Sequence, residues 1–381
     1  MSIGLTKFVD KLFGVPYCIA LGLIKLFKRK KIPAIDKTKN ILIIQLWGIG
    51  ETILTIPTLK KLKERYPKTA IDVVCTSRNK DVYFNYPFIS KLNVIKPNIF
   101  SLKWFTLRNW KKYDIVIDME EYLNVSAIMS FFIGKYTVGF SHGVRSLVYD
   151  KKVNYNDKQH VSKTFFDLVK ALGVKGSVKR LEKLNYTLTD KKITDLSLKY
   201  SNIKGQNYLI GIAPGAAESS KSRMWQPEKF AELIEGTFRK KKNAKVVLTG
   251  SANERKLNDF IINLIESKRI KNSILNVAGK FTLRQTFYLI SKCKVFIGND
   301  SGPMHIAAAM NVKTIGLFGP NLPLRFAPLN KKSRAIYKQM PCSPCINVHK
   351  GQVPECFYSE TSKDYRKCMK AIKVKDVLKF V

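Results

Sequence analysis

"ILIIQLWGIGETILTIPTLKKL", residues 41–62, opens as a near-continuous apolar run and ends with apolar residues at helical spacing. Such a run is typical of a strand buried on both faces, as in a parallel sheet. Gly48 and Gly50 stand at the joint, and Glu51 follows at once. Strand, glycine turn and helix form a βα unit, and the unit recurs. Apolar runs at 70–76, 91–96, 114–120 and 136–140 read as further strands, with helices at 51–65 and 160–172. The polar stretch 174–206 reads as a crossing between domains. A second series has strands at 208–215, 245–250, 274–279, 294–299 and 314–319, alternating with helices at 227–241, 253–267, 282–292 and 303–310. Two such series predict an α/β protein with two Rossmann-like, doubly wound domains, at 39–190 and 191–340, and a cysteine-containing tail at 341–381 packing back on the body. Ligands of such sheets sit beyond the carboxyl ends of the strands. The expected active site is therefore a cleft that both domains face.

The length of 381 residues suits two domains, and 45% hydrophobic content supports a core in each. The net charge of +40 is extreme. It favours polyanionic partners: nucleic acid, anionic lipid, acidic glycans or nucleotides. Codon bias toward Lys, Asn and Ile is the plainer source of the same charge. No zinc-finger, RRM or helix-turn-helix signature is present, so nucleic acid is disfavoured as a partner.

Residues 1–38 form a hydrophobic and basic leader to the first domain. Its uncharged run, Leu12 to Ile24, spans about 20 Å as a helix against about 30 Å of hydrocarbon, too short to cross a bilayer. A basic cluster follows it where a signal peptide would have a cleavage site. The segment reads as an amphipathic, membrane-associating helix, with Lys28, Arg29, Lys30 and Lys31 meeting anionic headgroups. The expected location is peripheral, on the cytoplasmic face of the inner membrane. The alternative is a helix docked on the protein's own body.

The second series carries the most specific motif, "VFIGNDSGPMHIAAAM" (295–310). A strand ends here, and a helix begins at Gly302 and Pro303 behind the capping residues Asn299, Asp300 and Ser301. A helix N-terminus at a strand's carboxyl end is a diphosphate site. His305, in the first turn, would bond a phosphate or a sugar hydroxyl. In "GIAPGAAESSKSRMWQPEKFAELI", a strand runs through Pro214 and Gly215 into a loop with Lys221 and Arg223, two cations suited to phosphate. A plain strand–helix turn and a solvated basic loop are the alternatives. Thr282 is expected to cap the helix that leads into the diphosphate strand.

These blocks, with "ILIIQLWGIGETILTIPTLKKLKERYP" and "VLTGSANE", resemble glycosyltransferase family 9, the heptosyltransferases of bacterial lipopolysaccharide, in order over about residues 40–330. The resemblance implies a GT-B fold and inverting transfer that needs no metal or other cofactor. It also implies a nucleotide-sugar donor such as ADP-heptose on the C-terminal domain and a lipid-linked glycan acceptor on the N-terminal one. The donor would meet Pro214, Gly215, Lys221, Arg223, Asn299, Asp300, Ser301, Gly302, Pro303, Met304 and His305. Gly48, Gly50 and Asp118 would lie on the acceptor side. The family's basic "KRW" site is interrupted here as "KSRMW". The chain has Gln45 where the family usually has Arg or Lys, and Glu51 where it usually has Asp. An inverting transferase needs a carboxylate to take the acceptor hydroxyl's proton, so Glu51 is the candidate base, with a favourable acid in a helix's first turn as the alternative. "DIVIDMEEYLN" places Asp118, Glu120 and Glu121 at another strand's end, and Glu120 is the second candidate base or a holder of the acceptor hydroxyl, with structural helix capping as the alternative. A catalytically silent family member that only binds nucleotide sugar or glycolipid is the alternative function, followed by a basic RNA-binding protein.

Cys342, Cys345, Cys356 and Cys368 can ligate structural zinc tetrahedrally, with His349 able to replace one. Disulfides or free thiols fit the spacing as well.

Overall fold

The computed structural model describes residues 3–26, 31–34, 37–46, 48–200, 208–216, 218–347, 349, 352 and 355–381. The chain forms two compact units, Met1–Lys179 with Val348–Gly351, and Arg180–Asn347 with Gln352–Val381. The division falls before the expected 190/191 boundary. The N-terminal segment belongs to the first unit and nearly all of the tail to the second.

The first unit contains strands β1 (Asn40–Ile44), β2 (Ala70–Thr76), β3 (Lys91–Ile95), β4 (Tyr113–Asp118), β5 (Gly134–Phe140) and β6 (Lys151–Val153). Its helices are α1 (Ile3–Leu26), α2 (Ile49–Arg65), α3 (Ile99–Arg108), α4 (Asn124–Ile133) and α5 (Val161–Lys170). The sheet is parallel throughout, in the order β3-β2-β1-β4-β5-β6. Ile41 to Ile44 are wholly buried, as the apolar run required.

The second unit begins with α6 (Leu188–Tyr200), inside the stretch expected to be a bare crossing. Strands β7 (Leu209–Ala213), β8 (Lys245–Leu248), β9 (Ile274–Asn276), β10 (Val295–Asn299), β11 (Lys313–Phe318) and β12 (Arg334–Tyr337) follow. The helices after α6 are α7 (Pro227–Lys240), α8 (Arg255–Leu264), α9 (Lys268–Lys271), α10 (Leu283–Ser291), α11 (Gly302–Ala309), α12 (Pro323–Phe326), α13 (Lys367–Lys370) and α14 (Val374–Leu378). The order β12-β11-β10-β7-β8-β9, also all parallel, repeats the first sheet's connectivity. In each sheet the strand order reverses beside the first strand, between β1 and β4 and between β7 and β10. That reversal opens a crevice at the strands' carboxyl ends.

Thr282 caps α10 as expected, reciprocally with Gln285. The tail packs on its own unit. Met369, Ile372, Val374 and Val377 join the core cluster of Ile212, Trp225 and Phe230.

Helix α1 is docked on the first unit. Cys18 and Leu21 are buried with Ala127 of α4. Asp10 accepts from the amides of Asn124 (3.0 Å) and Val125 (2.8 Å), capping α4, whose own N-cap residue Leu123 has no side-chain acceptor. Lys25 reaches Asp150 at 2.6 Å. No described helix is long and apolar enough to cross a membrane. Lys28, Arg29 and Lys30 lie outside the described residues, and Lys31 is exposed.

Candidate active site

The β1–α2 turn answers what its two glycines do. Gly48 is the N-cap of α2, with φ +73°, a left-handed conformation that favours glycine. A Cβ there would stand 2.1 Å from Glu51 Oε2, so the missing side chain makes room for the Glu51 carboxylate to fold back over the turn. Gly50 is buried within the first turn of the helix. The turn is held from behind. Thr52 Oγ1 donates to the Gly48 carbonyl at 2.6 Å, and Asn79 Nδ2 donates to Thr52 Oγ1 (2.9 Å) and the Gln45 carbonyl (3.0 Å). Glu51 is half-buried.

The acids that follow β4 differ from expectation. Asp118 is wholly buried and pairs with the equally buried Arg145 at 2.7 Å. Tyr149 and Ser126 hydroxyls donate to the same carboxylate oxygen at 2.6 and 2.8 Å. Asp118 is therefore a structural anion with no face toward an acceptor. Glu120 is also buried, and its Oε1 accepts from the Leu46 amide (2.5 Å) and Gln45 Nε2 (3.3 Å). A carboxylate so engaged ties the β1 and β4 loops together and is displaced as a candidate base. Glu121 accepts from the Tyr155 hydroxyl. Of the acids expected near this crevice, only Glu51 keeps partial exposure. Beside it stands Tyr122, which the sequence reading passed over. Burial, then the negative charge of Glu120, Glu51 and Glu121, raises the Tyr122 phenol above its ordinary range, so it stays protonated.

In the second unit, Ser301 is the N-cap of α11, and Gly302 and Pro303 open it, as the motif predicts. All three are half-buried at the helix's positive end. Ser301 Oγ donates to the Asn299 carbonyl at 3.2 Å and does not close on the helix. Asp300 is buried and accepts from Asn321 Nδ2 at 2.8 Å. Arg223 Nη1 lies 3.3 Å from the Asp300 carbonyl and 3.6 Å from its carboxylate, which fixes the guanidinium beside the start of α11. Lys221 is exposed, and Arg366 of the tail holds its carbonyl at 3.0 Å.

Three expected donor residues serve other ends. Asn299 is wholly buried and joins two loops: its Oδ1 accepts from the Trp225 amide (3.0 Å), and its Nδ2 donates to the Pro214 (2.6 Å) and Gly215 (3.2 Å) carbonyls. Met304 is wholly buried, its sulfur against Gly316. His305 is buried as well, and little of its ring reaches the surface. Glu254, the last residue of "VLTGSANE", has a structural part that the sequence reading missed. Its Oε2 closes a capping box with Ser251, while its Oε1 would lie 1.7 Å from any Cβ at Gly215. The Ser-x-x-Glu spacing is the signal that finds it.

All seven cysteines are free thiols. Cys342, Cys345, Cys356 and Cys368 line one small cavity, which Ser222 of the Lys221 loop also borders. Burial and the neighbouring thiols push Cys345 and Cys368 up to about 11. Among the described residues no group of three or more His, Cys, Asp or Glu stands at metal-holding spacing. His349 is not in that cavity; its ring stacks on Tyr155 at 4.3 Å.

Glycosyltransferase family 9 (heptosyltransferase) matches residues 104–353. A lipopolysaccharide core heptosyltransferase of Haemophilus influenzae is 26% identical over 309 residues, 79% of this chain and 85% of that protein. ADP-heptose lps heptosyltransferase II of E. coli, 21% identical, superposes with TM-score 0.71 over 90% of this chain and 97% of that one. A family 9 glycosyl transferase of Veillonella parvula, 23% identical, gives 0.73 over 90% and 95%. The two parallel sheets are thus those of this fold, and the family match spans well over half of the sequence. This chain belongs to glycosyltransferase family 9, the heptosyltransferase family, and is a glycosyltransferase.

Proposed function

We infer that the enzyme moves a heptose, with inversion, from ADP-heptose to the core of a lipid-linked lipopolysaccharide. Relatives named for that reaction supply the substrate class. The single observation that carries the reading is the fixing of Arg223 at the N-terminus of α11 by Asp300. Arg223, Lys221 and the first amides of α11 together suit a diphosphate. In the reaction, the acceptor hydroxyl oxygen attacks the anomeric carbon, the bond to the diphosphate breaks, and the nucleoside diphosphate leaves with the electron pair. Glu51 takes the hydroxyl proton. Lys221, Arg223 and the helix terminus stabilise charge on the leaving group. Trials of a nucleotide-sugar panel against lipopolysaccharide acceptors, read by mass spectrometry, test this. A heptose mass added from ADP-heptose supports it, and nucleotide binding without transfer from any donor favours a silent family member.

The enzyme works as a peripheral protein on the cytoplasmic face of the inner membrane, where its +40 charge suits an anionic leaflet. Retention on vesicles at high salt supports this; complete solubility beside anionic vesicles at physiological salt counts against it. We propose further that the four tail cysteines, which do not stand at metal-holding spacing in this structure, take up a structural zinc with no part in transfer. Their thiols border one cavity and would supply four sulfur ligands to the ion. Metal analysis checks this: about one zinc per chain in the wild type, and none in Cys342→Ser/Cys345→Ser.

A further inference from the structure

Helix α3 is apolar on two faces. Phe105 enters the core and Leu102 packs beside it, while Ile99, Phe100, Trp104 and Leu107 face solvent, with Phe100 85% and Trp104 67% exposed. Trp110, just past the helix, is also exposed. Phe100, Trp104 and Leu107 recur at helical spacing and form one apolar stripe, which Trp110 extends past the helix end. A stripe of this kind on a surface marks an interaction site.

The stripe continues onto α1. Both α1 and α3 pack on α4, whose Phe132 lies 4.9 Å from Trp110 and 6.3 Å from Tyr17 of α1. Beyond Tyr17, α1 exposes Phe13, Leu23 and Ile24. Basic residues border this surface. Lys103 and Arg108 on α3, Lys112 after it and Lys11 on α1 are exposed. Residues 91–113 hold six Lys or Arg and no Asp or Glu. The one acid in the described part of α1, Asp10, is turned inward to cap α4.

We propose that α1 and α3 together form a bilayer-docking face, with Phe100, Trp104, Leu107 and Trp110 entering the headgroup region of an anionic membrane. This rests on the reading of the enzyme as peripheral and adds the second helix, which the N-terminal segment alone does not supply. Aromatic rings with lysines at their rim suit the lipid–water boundary. Neither described helix is long and apolar enough to cross a membrane, which suits docking in its plane. The patch would thereby hold the first unit at the surface that carries a lipid-linked acceptor.

Flotation with vesicles of phosphatidylglycerol and phosphatidylcholine, against phosphatidylcholine alone, tests the face in the full chain. The variant is Phe100→Ser/Trp104→Ser/Leu107→Ser, all exposed positions. Wild-type protein binds the anionic vesicles, and the variant binds about ten-fold or more weakly. An unchanged thermal shift with ADP shows that the variant is folded. A blue shift of tryptophan emission on vesicles, lost in Trp104→Phe/Trp110→Phe, places the rings in lipid. Equal vesicle binding by wild type and triple variant overturns the proposal. So does a wild-type dimer in ultracentrifugation that the triple variant dissociates without change in vesicle binding, which would mark a face between copies. Flotation is independent of transfer: vesicle binding that needs α3 stands even if no donor sugar is turned over, and transfer to a soluble acceptor stands even if flotation fails.

Discussion

The two units share one strand order and differ at the point where it reverses. In the first, the crevice beyond β1 and β4 is lined with acids, and the protein engages most of them itself. Arg145 holds Asp118, the Leu46 amide and Gln45 hold Glu120, and Tyr155 holds Glu121. Glu51 remains, folded over Gly48. In the second, beyond β7 and β10, Asp300 fixes Arg223 and leaves Lys221 and the start of α11 facing outward. The fold places the residues, and internal bonding decides which of them stay available. One unit keeps a partly exposed acid and the other keeps cations at a helix N-terminus, which is what the proposed roles ask of each unit by itself.

That contrast can be broken at several points, in falling order of effect. Arg145→Leu strands the Asp118 anion in the core and should cost about 3–5 kcal/mol. Denaturant unfolding reads this, and a loss under 1 kcal/mol would mean the pair is not the buried tie described. Arg223→Ala should weaken ADP binding by about ten- to a hundred-fold, as expected for lost charged hydrogen bonds of about 1.5–3 kcal/mol, measured by calorimetry. Unchanged affinity would remove the cation from the donor side. Gly48→Ala forces a left-handed alanine at about 1–2 kcal/mol and drives the Glu51 carboxylate from its place. Transfer should fall while ADP affinity holds, and equal losses in both would contradict the separation of roles.

The smallest effect is one of pH. Burial alone would raise the Asp190 carboxyl, but hydrogen bonds from Thr187 and Arg284 bring it below 3.8 on balance. Its contribution is then present above pH 3.8 and disappears as pH falls through the lower folded value. Asp190→Asn should lower stability by about 1 kcal/mol at neutral pH, and the difference from wild type should close in acid. A gap that persists below pH 3 would point to packing instead of charge.

Much of this was legible in the sequence, because buried parallel strands and capped helices leave local signatures. β2 spans the expected residues, and Ser301 and Thr282 start their helices where the capping pattern puts them. Helix α3 escaped because apolar residues lie on both its faces, Leu102 and Phe105 inward and Phe100, Trp104 and Leu107 outward, which blurs the one-sided pattern, and α6 because its sequence is polar with weak periodicity. The fates of Asp118 and Glu120 were hidden for a different reason. A strand-end acid reads the same whether it faces a ligand or a buried partner, and Arg145 lies 27 positions from Asp118. Likewise Asn299 looks like a ligand in "GNDSG" until its amide is seen joining the Trp225 and Pro214 loops.

The most direct test of the account compares Glu51→Gln with Glu120→Gln in transfer from ADP-heptose, with ADP binding measured on both. Glu51→Gln should cut turnover by about 10²–10⁴-fold while binding ADP as the wild type does. Glu120→Gln, whose amide can still accept from Leu46, should retain most of its turnover. Wild-type turnover in Glu51→Gln, or a collapse confined to Glu120→Gln, would contradict the claim that the acid over Gly48 is the one left to take the proton.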